Sequence, residues 1–196
     1  MTAALAVVVP VLDEAAGITP TLLALAPLRR RGHPVGTLHP ICSLRAERPW
    51  PSPLGGAAFG VEGDPLARAL ALAWVGAQPW LDLQGQSVAQ RQAYHAACSL
   101  AANHLAVPQD AAVGVLAGQG HPLATARAAI DGLMRSALEN LARLGVPDGV
   151  TGPVARGDEA AVAAHLRALP PDASALYGVL SERLAALLAQ ARGSST

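Results

Sequence analysis

Residues 57–83 read AAFGVEGDPLARALALAWVGAQPWLDL. The run AAFGVEG (57–63) reads as a strand, DPLARALALAWVGA (64–77) as a helix and PWLDL (79–83) as a second strand. Upstream the same alternation holds. LAVVVPV (5–11) is a continuous apolar run suited to a buried parallel strand. Residues 15–31 read as a helix closed by Arg29–Arg31 and Gly32, and VGTLHP (35–40) as another strand. Residues 45–56, RAERPWPSPLGG, form a Pro/Gly-rich loop. Strands alternating with helices over residues 1–83 imply an open α/β layer.

Downstream the period changes. From Ser87 the apolar residues recur at helical spacing, predicting helices over 87–106, 109–118, 122–145, 158–169 and 172–191. Pro122 and Asp172 are start signals and Gly145 a stop. Residues 145–158, GVPDGVTGPVARGD, make the one polar glycine-rich loop of this half. The reading is therefore α/β then all-α, with domains at 1–85 and 86–196 and the origin of 1–33 open.

Composition narrows the function classes. The 196 residues are 52% hydrophobic and 14% charged with zero formal net charge, so a packed core is affordable and long-range attraction to nucleic acid is not expected. All 14 basic residues are arginine, which removes lysine Schiff-base and lysine general-acid chemistry. Cys42 and Cys98 show no paired spacing, and a reducing cytoplasm suits them. The apolar stretch AALAVVVPVL is about half a membrane span, since a span takes about 20 residues, and it stops at Asp13-Glu14. A soluble protein without a signal peptide is expected.

Several motifs are missing. There is no P-loop, HExxH, nucleophile elbow or Cys/His metal cluster, so no metal site is predicted. Gly118-Gln119-Gly120 follows a predicted helix and precedes His-Pro, which is not the place of a dinucleotide-binding turn.

Four blocks in order carry a resemblance: VGTLHPICSL, AAFGVEGDP, QAYHAACSLAANHL, and MRSALENLARLG followed four residues later by VTGPVARGD. The series resembles the family catalogued as domain of unknown function 2520. That family forms the helical C-terminal half of NADP-dependent oxidoreductases assigned by similarity, with a Rossmann-like N-terminal half. They fall in the broad group with a 6-phosphogluconate dehydrogenase C-terminal-like domain, which includes the ketopantoate reductases. The resemblance implies an incomplete Rossmann-like parallel sheet followed by a helical substrate and dimerisation domain. It also implies NADP(H) as cofactor, a small-molecule substrate and a homodimer; from the zero net charge and the short apolar run, neither nucleic acid nor membrane is expected as a partner. The family's glycine-rich turn has no counterpart here. In its place AVVVPVLDEAAGITPTLLALAPLRRRGHPV (6–35) looks like the opening of family-2 glycosyltransferases, or like a compressed form of the family's own strand–helix unit.

The helix at 87–106 is small-residue rich yet carries Tyr94, His95, Ser99, Asn103 and His104. Steps of four advance about 40° around a helix, so His95, Ser99 and Asn103 form one polar stripe. The resemblance implies that this helix faces a nicotinamide cleft, with His95 as general acid and Ser99 or Asn103 orienting a carbonyl oxygen. The alternative is that the stripe satisfies backbone groups within a bundle. His39 ends a strand, where ligands of α/β sheets sit, and together with Tyr94 is a candidate cleft residue. Asn140 is an amide in mid-helix with the 150–158 loop as its natural partner. Thr151 and Arg156 of that loop can bridge to a ligand, the Arg156 fork suiting a carboxylate or phosphate; Asp158 suits a helix N-cap. A non-catalytic reading, in which the chain is an assembly module dimerising through helices 122–145 and 172–191, stays open beside the enzymatic one.

Overall fold

The computed structural model describes residues 25–43 and 56–193. The expected strand at 5–11, the first part of the helix at 15–31 and nearly all of the 45–56 loop lie outside the described residues. The chain divides into two compact units, Met1–Asn103 and His104–Thr196.

In the first unit, helix α1 covers residues 25–30 of the described chain. Then come β1 (Gly36–Ile41), β2 (Ala58–Gly63), α2 (Pro65–Val75), β3 (Trp80–Asp82) and α3 (Val88–Ala101). The strands form one sheet in the order β1-β2-β3. β2 and β3 are parallel, joined through α2, because parallel neighbours need a crossover and a helix supplies it. β1 corrects the expectation of a parallel sheet. It pairs with β2 antiparallel, Gly36 opposite Gly63 and Ile41 opposite Ala58, so the sheet is mixed. Along β1, Leu38 and Pro40 are buried while their neighbours are half-buried, the alternation of a strand with one sealed face. Pro40 offers no N–H to the ladder and suits β1's place at the end of the described order.

Alternation gives the sheet two unlike faces. Leu38, Phe59 and Val61 point one way, and with Ala57 they pack against Ala71 and Val75 of α2. Val61 is wholly buried. The buried residues of α2, Ala67, Ala71 and Val75, are spaced by four and small, so the helix lies close on the strands. The closest backbone approach is between Gly36 and Gly63. A Cβ on Gly63 would stand 2.4 Å from the Gly36 Cα, and Gly63 has φ +144°, so both sites admit little but glycine. Asp64 ties α1 to the start of α2 by accepting from Val35 N at 2.9 Å and pairing with Arg29 at 3.2 Å.

The second unit is helical: a 3-10 turn that ends in it (Asn103–Leu105), α4 (Ala106–Gly118), α5 (Leu123–Leu144), α6 (Pro153–Arg156), α7 (Glu159–Ala168) and α8 (Pro171–Gly193). Gly145 ends α5 and Asp158 caps α7, its carboxylate accepting from Ala161 N at 3.0 Å, both as the sequence predicts. The expected helix at 87–106 is broken after Ala101, and the 145–158 loop contains the short α6. Val113, Ala126 and Leu188 are its buried apolar side chains among the described residues. Leu123, Leu133 and Leu144 of α5 remain more than half exposed. No helix of the described residues is long and apolar enough to cross a membrane.

Candidate functional site

Helix α3 begins with a reciprocal cap. Ser87 accepts from Gln90 N, and the Gln90 side chain accepts from Ser87 N at 2.8 Å. This fixes where the helix starts. Five of its residues are half-buried, Arg91, Tyr94, His95, Cys98 and Ser99, and the rest of α3 is exposed. Those five follow i, i+3, i+4, i+7, i+8, a single helical face. The polar residues therefore form the inward side of the helix, against the sheet face opposite the apolar core.

On that face of the sheet stand Thr37 and His39 of β1 and Gly60 and Glu62 of β2, paired across the strands as 37 with 62 and 39 with 60. Arg91 forks onto both oxygens of Glu62, and Thr37 Oγ1 donates to Glu62 Oε1 at 3.1 Å. The hydrogen bonds to Glu62 raise the Arg91 guanidinium's already high pKa. One turn along, Tyr94 Oη and His39 Nδ1 share a hydrogen bond of 2.6 Å. The His95 ring stands 4.9 Å from that of Tyr94 and 5.7 Å from that of His39, centroid to centroid. Gly60 makes room for the arrangement: a Cβ there would lie 3.1 Å from Tyr94 Oη and 2.6 Å from Leu83 Cδ1.

A phenol and one imidazole thus share a hydrogen bond on a half-buried surface, and a second imidazole packs against both rings. With His39 Nδ1 bare, the phenol donates to it; with Nδ1 protonated, the imidazole donates to the phenol oxygen. Either way one hydrogen bond of 2.6 Å joins a strand to a helix.

The predicted residues distribute as follows. His39, Tyr94 and His95 come together, and Ser99 shares their helix face one turn beyond His95. Asn103 does not join them on that helix. The α-helix ends at Ala101, and Asn103 opens the 3-10 turn, exposed. A 3-10 turn advances roughly 120° per residue, which ends the stripe of fours. His104 is exposed in the same turn. Asn140 lies in the last turns of α5, and its carbonyl oxygen is 2.8 Å from where a Gly149 Cβ would stand, so the turn after α5 folds back onto it. Thr151 and Arg156 line one hollow of about 430 Å³ in the second unit, together with Asp148 and Arg192. The residues that sequence reasoning passed over are Thr37, Glu62, Arg91, Gly60 and Arg192. Their signal is weak: a charged residue in a strand and another four positions before His95, with nothing in the sequence to join them. Among the described residues, no group of three or more His, Cys, Asp or Glu side chains is placed to hold a metal ion.

Residues 57–184, about two thirds of the chain, match the model of the family described as Domain of unknown function (DUF2520). No curated protein matches the chain. Among solved structures, it is similar to a protein from Bacteroides fragilis described as "putative NADP oxidoreductase BF3122", with 21% identity and a TM-score of 0.59 over 78% of this chain and 57% of that one. It is similar also to protein TM1727 from Thermotoga maritima, with 20% identity and a TM-score of 0.64 over 80% of this chain and 62% of that one. The chain spans about three fifths of the length of these structures, and the likeness is one of fold.

Proposed function

Because the chain belongs to the DUF2520 family, we propose that it is an NADP-dependent oxidoreductase-like protein whose acid–base group is the His39–Tyr94–His95 cluster. The observation that carries this reading is the 2.6 Å bond between Tyr94 Oη and His39 Nδ1, with His95 against both rings. Reduction of a carbonyl leaves an oxygen that must take up a proton. Tyr94 Oη donates it, and protonated His39 returns a proton to the phenolate along the existing hydrogen bond. His95 holds the substrate oxygen against Tyr94, and Ser99 supports it from one turn away. The substrate is a small carbonyl compound.

The turn between β2 and α2 does not fit the pyrophosphate of NADP(H). Two described turns lead from a parallel strand into a helix, Gly63-Asp64-Pro65 before α2 and residues 83–87 before α3, and the first is the one closed to a phosphate. There the Asp64 carboxylate is held below its usual pKa by the Val35 N–H and by Arg29, so it stays charged. Pro65 removes one of the N–H groups that a phosphate needs. Cofactor binding is therefore not assigned to the Gly63-Asp64-Pro65 turn. Supporting the fold-level reading is the likeness to the Bacteroides fragilis protein.

A second reading, a non-catalytic homodimerising module, is favoured by the exposed leucines of α5. Leu123, Leu133, Leu138, Leu141 and Leu144 lie within about 140° of one another at 100° per residue. Cys42 and Cys98 are not joined in a disulfide, which suits the cytoplasm.

Titration of the purified protein with NADPH separates the two. The first reading expects enhanced nicotinamide fluorescence and a rise in Tm, since a ligand of the folded state contributes about 2.7 kcal/mol at a hundredfold excess over Kd. It also expects Tyr94→Phe to slow NADPH oxidation by small aldehydes and ketones about 10²- to 10⁴-fold, with Tm lowered by only about 2–4 °C. No change in fluorescence or Tm near 1 mM NADPH (roughly the upper end of ordinary ligand concentrations), together with a dimer by light scattering, overturns it in favour of the second.

A further inference from the structure

We propose that the hollow at the C-terminal end of α8 binds a small metabolite carrying an oxyanion, carboxylate or phosphate, next to a hydroxyl or amino group. Three segments distant in sequence meet there: the turn after α5 with Asp148, the Thr151–Arg156 segment, and Arg192 at the end of α8. Its volume of about 430 Å³ lies in the range of small-molecule sites, about 300–1,000 Å³.

The two arginines are set up differently. Arg192 Nη2 donates to the Ala155 carbonyl at 2.8 Å, which fixes the guanidinium plane against α6 and leaves its other N–H groups for a ligand. No described residue pairs with the Arg156 guanidinium, although it opens on the same hollow. Two forks and the Thr151 hydroxyl are donors of the kind that oxyanions take. Asp148 provides the selection. Its carboxylate repels a second anionic group and accepts a hydrogen bond from a hydroxyl or ammonium, so a ligand with both functions satisfies all four side chains. The site lies wholly in the second unit and does not depend on the acid–base reading of His39, Tyr94 and His95.

The test is binding of glycerate and of glycerol 3-phosphate, without NADPH, followed by calorimetry and by the arginine side-chain resonances, with sodium chloride at matched ionic strength as control. Saturable binding of either, shifting the Arg156 and Arg192 resonances, supports the proposal; glycerate alone identifies a carboxylate site and glycerol 3-phosphate alone a phosphate site. Arg156→Met should weaken the binding at least tenfold while the circular dichroism stays unchanged. Asp148→Asn should weaken it too, yet strengthen binding of inorganic phosphate, which has no amino or alcohol group. Because Arg192 also holds α8, its replacement is not needed to decide. Shifts that chloride reproduces, or an Arg156→Met protein that binds both compounds as tightly as the parent, overturn the proposal.

Discussion

The two faces of one small sheet differ completely although the same strands build them. Toward α2 the strands present Leu38, Phe59 and Val61, and the helix answers with alanine and valine. Toward α3 they present Thr37, His39 and Glu62, and that helix answers with Tyr94 and Arg91. On the first face the contacts are apolar and remove apolar surface from water, which is where folding free energy comes from. On the second, each contact exchanges hydrogen bonds with water for hydrogen bonds within the protein, which leaves a small net gain. The difference teaches a division of labour: one face makes the unit stable, and the other can hold titratable groups in fixed positions.

The sharpest way to break this comparison is one truncation on each face. Phe59 is 2% exposed and meets Trp74 edge-to-face at 5.7 Å. Phe59→Ala should destabilise by about 3–5 kcal/mol, the range for a buried phenylalanine, read by urea unfolding. Tyr94→Phe, which removes one hydroxyl, should cost about 1 kcal/mol. Equal losses from the two would mean that the α3 face is as much a core as the α2 face.

The apolar face is the more legible in the sequence. The run AAFGVEG and the helix after it carry periods of two and of nearly four, and both elements appear where those periods put them. The polar face is legible only in part. Tyr94, His95 and Ser99 stand out because polar groups interrupt an alanine-rich helix, and they do face inward together. Their partners do not stand out. His39 lies 55 residues before Tyr94 and Glu62 lies 29 before Arg91, and no local pattern joins positions so far apart. The inclusion of Asn103 follows from helical periodicity continued past Ala101, since SLAANHLAV contains no glycine or proline to announce the end. The direction of β1 is hidden for a similar reason, as its own residues fix which face is buried but not which way the strand runs.

A second measurement sharpens the polar side. The side chains of Glu62 and Arg91 are 15% and 29% exposed, so removing one partner leaves the other poorly solvated. Glu62→Leu should therefore cost about 2 kcal/mol, less than for a fully buried pair because water reaches Arg91. The double variant Glu62→Leu, Arg91→Leu should recover most of that loss, ending within about 1 kcal/mol of the parent, since an apolar pair of similar bulk replaces an ion pair at little net cost. A double variant as unstable as the single one would show that the pair itself stabilises the fold.

The smallest effect is expected at the rim, where Arg68 forks onto Asp82 at 2.6 and 2.7 Å beside Trp80. The Arg68 hydrogen bonds, and then the Gln84 N–H, hold the Asp82 carboxyl at about 2 instead of its ordinary 3.8. A depressed carboxyl stabilises the folded state only while ionised. Its contribution is complete above 3.8 and is lost as pH falls through about 2. Both ions are in contact with solvent, so salt screens the pair and its share of stability stays slight. A carbon-detected NMR titration should place the Asp82 midpoint near 2, and Arg68→Met should return it toward 3.8 without unfolding the sheet. If the parent midpoint is already at 3.8, the fork does not form in solution, and β3 is then held to the sheet by its backbone pairing with β2.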